Sequence, residues 1–191
     1  PDADGVGEVL RRGTTIFAGY HEEPQKTAEV MTDDGWFRSG DLGRISREGF
    51  LYLCGRAKDV IVLGSGKNVY PDELEEFYRR CSSIEDIGVF EAARGDTAIV
   101  AAVIVPEKNL RARTPEEIEE SIRTEIASVG KALPHYKKLG DFIVSMVDLP
   151  RTTTKKIKKP LLRQMYDGTR AAQRKTTSRQ LLPLTYLEKK T

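Results

Sequence analysis

Hydrophobic and polar positions alternate in short bursts along the first third of the chain. Residues 7–20, GEVLRRGTTIFAGY, read as two short strands around Gly13, and EEPQKTAEVM reads as a short helix with Pro24 near its start. Strands are expected near 43–46 and 50–54, joined by the polar turn Arg47-Glu48-Gly49. Antiparallel pairing of that hairpin would bring Asp41, just before its first strand, beside Arg56, just after its second. A further strand, Val60 to Leu63, leads into the glycine turn of GSGKNVYP and a helix with Pro71 in its first turn. In that helix Asp72, Glu73, Glu75 and Glu76 precede Arg79 and Arg80, the order the helix dipole favours, while Leu74, Phe77, Tyr78 and Cys81 share one face.

The remainder has longer periods. Two strands are expected near 85–91 and 97–105, the second being the apolar run TAIVAAVIV. Thr114-Pro115-Glu116-Glu117 has the form of a capping box and starts a helix that buries Ile118, Ile122 and Ile126. A strand near 141–147 precedes Pro150, and a basic helix is expected from Lys159 to Met165. The order β, α, β, β, α, β, α predicts a small α+β domain over residues 58–168, a short sheet flanked by helices. Residues 169–191 show no firm periodicity and read as a basic tail.

Composition changes this picture in three places. A chain with 39% hydrophobic residues can build a core, and no apolar run approaches the roughly 18 residues of a membrane span, so a cytoplasmic protein is expected. Cys54 and Cys81 sit in apolar patterns with no Cys or His at ligand spacing, which predicts buried thiols and no metal site. The first residues lack an initiator Met and enter a strand almost at once, so the chain reads as cut from something longer. The net charge of +2 hides an asymmetry: of 31 basic and 29 acidic residues, 12 and 2 lie in 151–191, leaving 19 and 27 before it. The two parts carry about +10 and −8; the basic end reads most simply as a solvated helix and tail, and otherwise as a face for an anionic partner such as nucleotide and CoA phosphates or an acidic membrane surface.

Candidate chemistry centres on the hairpin. One carboxylate can accept a hydrogen bond from each of two adjacent ribose hydroxyls while a fixed guanidinium donates to a ribose oxygen, and Asp41 with Arg56 would suit that role; a structural ion pair beside turn glycines is the other reading. His21 and His135 are far apart in loop-like sequence with no nucleophile nearby, which argues against a His-based triad. Gly64 and Gly66 resemble a phosphate-cradling loop, but without the Gly-Lys-Ser/Thr ending of a P-loop they read as a turn. Trp36 and Tyr20 read as packing residues.

GEVLRRGTTIFAGY, DGWFRSGDLGRI, GRAKDVIVLGSGKNVYPDELE and LPRTTTKKIKK together resemble, in order and spacing, the adenylate-forming superfamily of acyl-CoA synthetases, luciferases and peptide-synthetase adenylation domains. The likeness covers about 160 of the 191 residues and rests on four ordered motifs rather than one. GKNVYP looks most like the fatty acyl-CoA synthetases. The resemblance implies that residues 1–57 are the last β segment of a large AMP-binding domain missing here, 58–168 the small mobile C-terminal domain, and 169–191 a tail. It further implies that Asp41 binds the ribose hydroxyls of ATP, that Arg56 supports the same ribose, that Lys58 is the hinge, and that Gly64, Ser65 and Gly66 form the loop beside the CoA channel. Ser39 stands where the family usually has Thr.

In the last motif the family pattern Pro-(Lys/Arg)-Thr-x-(Ser/Thr)-Gly-Lys-(Ile/Val) is met by Pro150-Arg151-Thr152-Thr153-Thr154-Lys155-Lys156-Ile157. Lys156 aligns with the catalytic lysine, and Lys155 replaces the glycine. The implied enzyme activates a fatty carboxylate with ATP and Mg²⁺ to an acyl-adenylate and transfers it to CoA; the fragment alone is expected to be inactive. An acyl or aminoacyl adenylate ligase that loads a carrier protein would share the adenylation residues. A basic module for nucleic acid or an acidic membrane surface is the reading of another class, though the aromatic interleaving of single-strand binders is missing.

Overall fold

Three antiparallel strands open the chain in the order β1 (Gly7–Arg11), β2 (Phe37–Ile45), β3 (Leu51–Arg56), with β2 in the middle. The computed structural model describes residues 1–2 and 5–180, with side chains through 174, and the chain divides into two units, Pro1–Phe77 and the residues from Tyr78 on. Helix α1 (Pro24–Val30) begins at its proline as expected. Residues 12–20 form no strand. Their apolar pattern serves an aromatic cluster instead: the Phe17 ring lies 5.0 Å from that of Tyr20 and 5.3 Å from that of Phe37. The short ribbon β4 (Ile61–Val62) and β5 (Asn68–Val69) completes the strands of this unit. Helix α2 (Pro71–Tyr78) follows, with Leu74 and Tyr78 fully buried, and it stops before Cys81.

The second unit is a sheet in the order β6-β7-β8, formed by β6 (Ile84–Arg94), β7 (Thr97–Pro106) and β8 (Asp141–Val144). β6 and β7 are an antiparallel hairpin, and β8 returns parallel to β7 after α3 (Pro115–Val129). The apolar run of β7 is buried on both faces, which explains why it does not alternate. Phe90, Ala92, Ala101, Val103, Val105 and Ile143 pack on one face with Leu162 and Tyr166 of α4 (Lys159–Gln180). Ile87, Val89, Ala102 and Ile104 alternate to the other face, and Ile118, Ile122 and Ile126 of α3 are also buried. The capping box is present: the Thr114 hydroxyl accepts from the Glu117 amide, and the Glu117 carboxylate accepts from the Thr114 amide.

Helix α4 approaches β6 so closely that a Cβ on Gly88 would lie 2.4 Å from a methyl of Leu162. The helix also runs past Met165, where the sequence pattern stopped, to Gln180. Gly168 interrupts the apolar period, but the Arg170 guanidinium donates to the Asp141 carboxylate and, at 2.7 Å, to the Phe142 carbonyl, tying the following turn to β8. Part of the expected tail is therefore helical, and residues 181–191 lie outside the described residues. Neither Cys54 nor Cys81 is in a disulfide; Cys81 is buried and Cys54 half-buried. Burial, then the Glu125 carboxylate, pushes the Cys81 thiol up to about 11. Among the described residues no helix is long and apolar enough to cross a membrane.

Candidate functional site

The β2–β3 register places Asp41 directly opposite Arg56, at the end away from the Arg47-Glu48-Gly49 turn. Arg56 Nε lies 2.9 Å from Asp41 Oδ1, so the two residues that the hairpin argument joined are paired. A second guanidinium, absent from the sequence reading, completes the arrangement: Arg11 of β1 reaches Asp41 Oδ2 at 3.3 Å. Its only signal was the position of GEVLRRG beside a strand whose pairing could not be read from one sequence. Each carboxylate oxygen thus has one arginine and keeps a lone pair for another donor. The carboxylate's backbone is fixed as well, because the Ser39 hydroxyl accepts from the Asp41 amide at 3.0 Å and donates to the Val9 carbonyl at 2.7 Å. Asp41 remains 24% exposed at its side chain, accessible to a ligand. The geometry makes a pre-oriented acceptor flanked by fixed donors, suited to a vicinal diol.

Lys58 occupies a one-turn 3-10 segment, Ala57–Asp59, between the extended residues Arg56 and Val60. It is exposed. Beyond β4 the glycines form a tight hairpin: the Gly66 amide donates to the Leu63 carbonyl at 2.8 Å, and Leu63 donates to the Lys67 carbonyl at 3.0 Å. Gly66 has φ +75°, which excludes most other residues, whereas a Cβ on Gly64 would meet nothing within 4 Å. Downstream, the Tyr70 hydroxyl donates to Asp2 at 2.7 Å, a tie that the sequence pattern did not reveal. Burial and the Asp2 carboxylate raise the Tyr70 hydroxyl far above its ordinary range.

Lys156 belongs to the second unit. Arg151 and Ile157 form an antiparallel bridge, the Lys155 amide donates to the Thr152 carbonyl at 2.9 Å, and the Thr152 amide donates to the Lys156 carbonyl at 2.8 Å. These are the bonds of a three-residue hairpin whose last position is left-handed and usually glycine. Lys155 holds that position with φ +63°. Lys156 follows it, exposed, with its amide donating to the Thr152 hydroxyl at 3.1 Å. Among the described residues no hydrogen bond or ion pair engages its ammonium.

A family model described as the AMP-binding enzyme C-terminal domain matches residues 58–169. The chain is 32% identical over 161 residues to a mitochondrial medium-chain acyl-CoA ligase of Macaca fascicularis, covering 84% of this chain and 25% of that protein. It is 38% identical over 138 residues to a long-chain-fatty-acid–CoA ligase of Bacillus subtilis, covering 70% of this chain and 24% of that protein. ATP-bound MatB from Rhodopseudomonas palustris is a similar solved structure, with a TM-score of 0.68 and 30% identity over 84% of this chain and 30% of that one. The chain spans about a quarter of the length of these curated relatives.

Proposed function

Because the chain belongs to the AMP-binding enzymes, whose C-terminal domain it carries, we propose that it is the C-terminal part of an AMP-forming acyl-CoA synthetase. On this reading a fatty carboxylate attacks the α-phosphate of ATP, pyrophosphate leaves, and the CoA thiol then displaces AMP from the acyl-adenylate. The observation that carries the proposal is the Asp41 carboxylate fixed between Arg11 and Arg56 with a lone pair free on each oxygen. The ribose hydroxyls donate to it, and Arg56 steadies the same sugar.

Lys156 supplies a compact charge that bridges the carboxylate and the α-phosphate as negative charge shifts in the transition state. The left-handed backbone at Lys155 supports aligning that residue with the glycine of the motif, which leaves Lys156 in the catalytic position. Lys58 is the hinge about which the small domain turns between half-reactions, and the Gly64-Ser65-Gly66 turn borders the path of CoA. Mg²⁺ would offset phosphate charge, but the described residues offer no cluster of three carboxylates or histidines, and no ligand role is assigned to this chain.

The acyl pocket and the phosphate loop fall, on this reading, in the part of the relatives that the chain does not span. The fragment by itself therefore has no turnover. The test is fatty-acid-dependent ATP–pyrophosphate exchange by the full-length protein, followed by thioester formation with free CoA or with a carrier protein. Exchange without transfer to CoA, but with transfer to a carrier, would move the protein to the carrier-loading ligases. No exchange with any carboxylate would refute the proposal.

A further inference from the structure

We propose that Asp86 and Arg151 are positioning residues that hold the Thr152–Lys156 turn in the shape that presents Lys156. The inference rests on the assignment of Lys156 above. Two contacts from one side chain carry it. Arg151 donates through one terminal nitrogen to Asp86 Oδ2 at 2.6 Å and through the other to the Lys155 carbonyl at 2.7 Å. The guanidinium therefore links strand β6 to the carbonyl of the one turn residue whose backbone is left-handed.

Asp86 is itself fixed. It sits at the irregularity in the β6–β7 register between Ile84 and Asp86, and its other oxygen accepts from the Ile87 amide at 3.0 Å. One oxygen is thus committed to the sheet and the other to the turn. The planar fork of arginine suits this double duty, because two donors at fixed separation can serve the carboxylate and the carbonyl together. A lysine at 151 would bring three donors on one nitrogen at the end of a flexible stem, without the fixed separation that matches the carboxylate and the carbonyl together. The turn needs such a hold because Lys155 takes a conformation that non-glycine residues disfavour by roughly 1–2 kcal/mol. A local rearrangement that returned Lys155 to negative φ would change the direction of the next residue, which is Lys156. Asp86 lies in an ordinary strand pattern 70 positions upstream of Lys156, so nothing in the sequence connected them.

The test uses Asp86→Asn and Arg151→Lys in the full-length protein, alone and combined with Lys156→Ala. Two quantities are read: adenylate formation by ATP–pyrophosphate exchange, and the rate of trypsin cleavage after Lys155 and Lys156 in the folded state. Asp86→Asn is expected to lower the exchange kcat about 10- to 100-fold with KM for ATP little changed, and to speed cleavage several-fold at an unchanged melting temperature. Arg151→Lys is expected to fall between it and the parent. In the Lys156→Ala background, Asp86→Asn should cost exchange nothing further, because it acts through that lysine. If Lys156→Ala abolishes exchange while Asp86→Asn leaves both exchange and cleavage unaltered, the positioning role is overturned and the assignment of Lys156 stands. Equal added losses in both backgrounds overturn it too, since Asp86 would then act elsewhere. A mild Lys156→Ala overturns the assignment itself, and with it any catalytic purpose of the clamp.

Discussion

The Asp41 end of the β2–β3 hairpin and the Lys156 turn are organised in opposite ways. At the hairpin the charged side chain is gripped by two arginines and its position follows from strand register. At the turn the grip is on the backbone, through Arg151 and the hairpin bonds, while the Lys156 ammonium is left in solvent. The difference matches the tasks proposed for them. A ribose binder gains from a side chain fixed before the ligand arrives, because its ordering is not charged against binding. A group that must meet charge only as it develops needs a fixed tether and an unengaged head.

The largest effect should come from Lys156→Ala. Exchange is expected to fall about 10³-fold, the scale of losing an electrostatic stabiliser of the transition state, while the melting temperature stays put because, among the described residues, no hydrogen bond or ion pair engages the ammonium. A change in stability of similar weight would erase the contrast between the two regions. Next, Asp41→Ala should reduce exchange efficiency at least ~100-fold, since hydrogen bonds to a charged group contribute roughly 1.5–3 kcal/mol each. It should also lower stability, because Arg11 and Arg56 lose their shared partner. Exchange kinetics equal to the parent's would return Asp41 to a structural ion pair.

Lys58→Pro sharpens the comparison from the proposed hinge. Proline there pushes Ala57 out of the helical turn, and thioester formation is expected to fall about tenfold with exchange retained. Equal loss in both half-reactions would mean misfolding. The smallest effect is expected of Lys155→Gly. Relief of the left-handed strain, partly offset by the entropy of glycine, should raise stability by under ~1 kcal/mol, read as a small rise in melting temperature. A fall in stability would show that the left-handed backbone carries no strain.

Legibility followed how local each device was. The capping box at Thr114 and the Asp41–Arg56 pairing needed only spacing and a turn, and both stand in the structure. Arg11 required knowledge of which strands lie side by side, and a period of two does not name its neighbour; Asp86 meets Arg151 only through a tertiary contact 65 residues along the chain. The second strand expected before Tyr20 failed because aromatic residues in a packed loop mimic strand composition. Helix α4 was read too short because Gly168 breaks the apolar period, while the hydrogen bonds of Arg170 that sustain the next turn are tertiary. The need for a left-handed residue at 155 was carried by the motif's glycine, and the lysine found there hid it.

The contact between α4 and β6 at Gly88 also bears on inheritance. A side chain of any size at this position displaces Leu162, whose own side chain is fully buried against the sheet. All four glycine codons share their first two bases, so every single-base change at either of them replaces this glycine. Position 88 is accordingly a narrow target at which ordinary nucleotide substitution forces the Leu162 side chain to move, while third-base changes pass unnoticed.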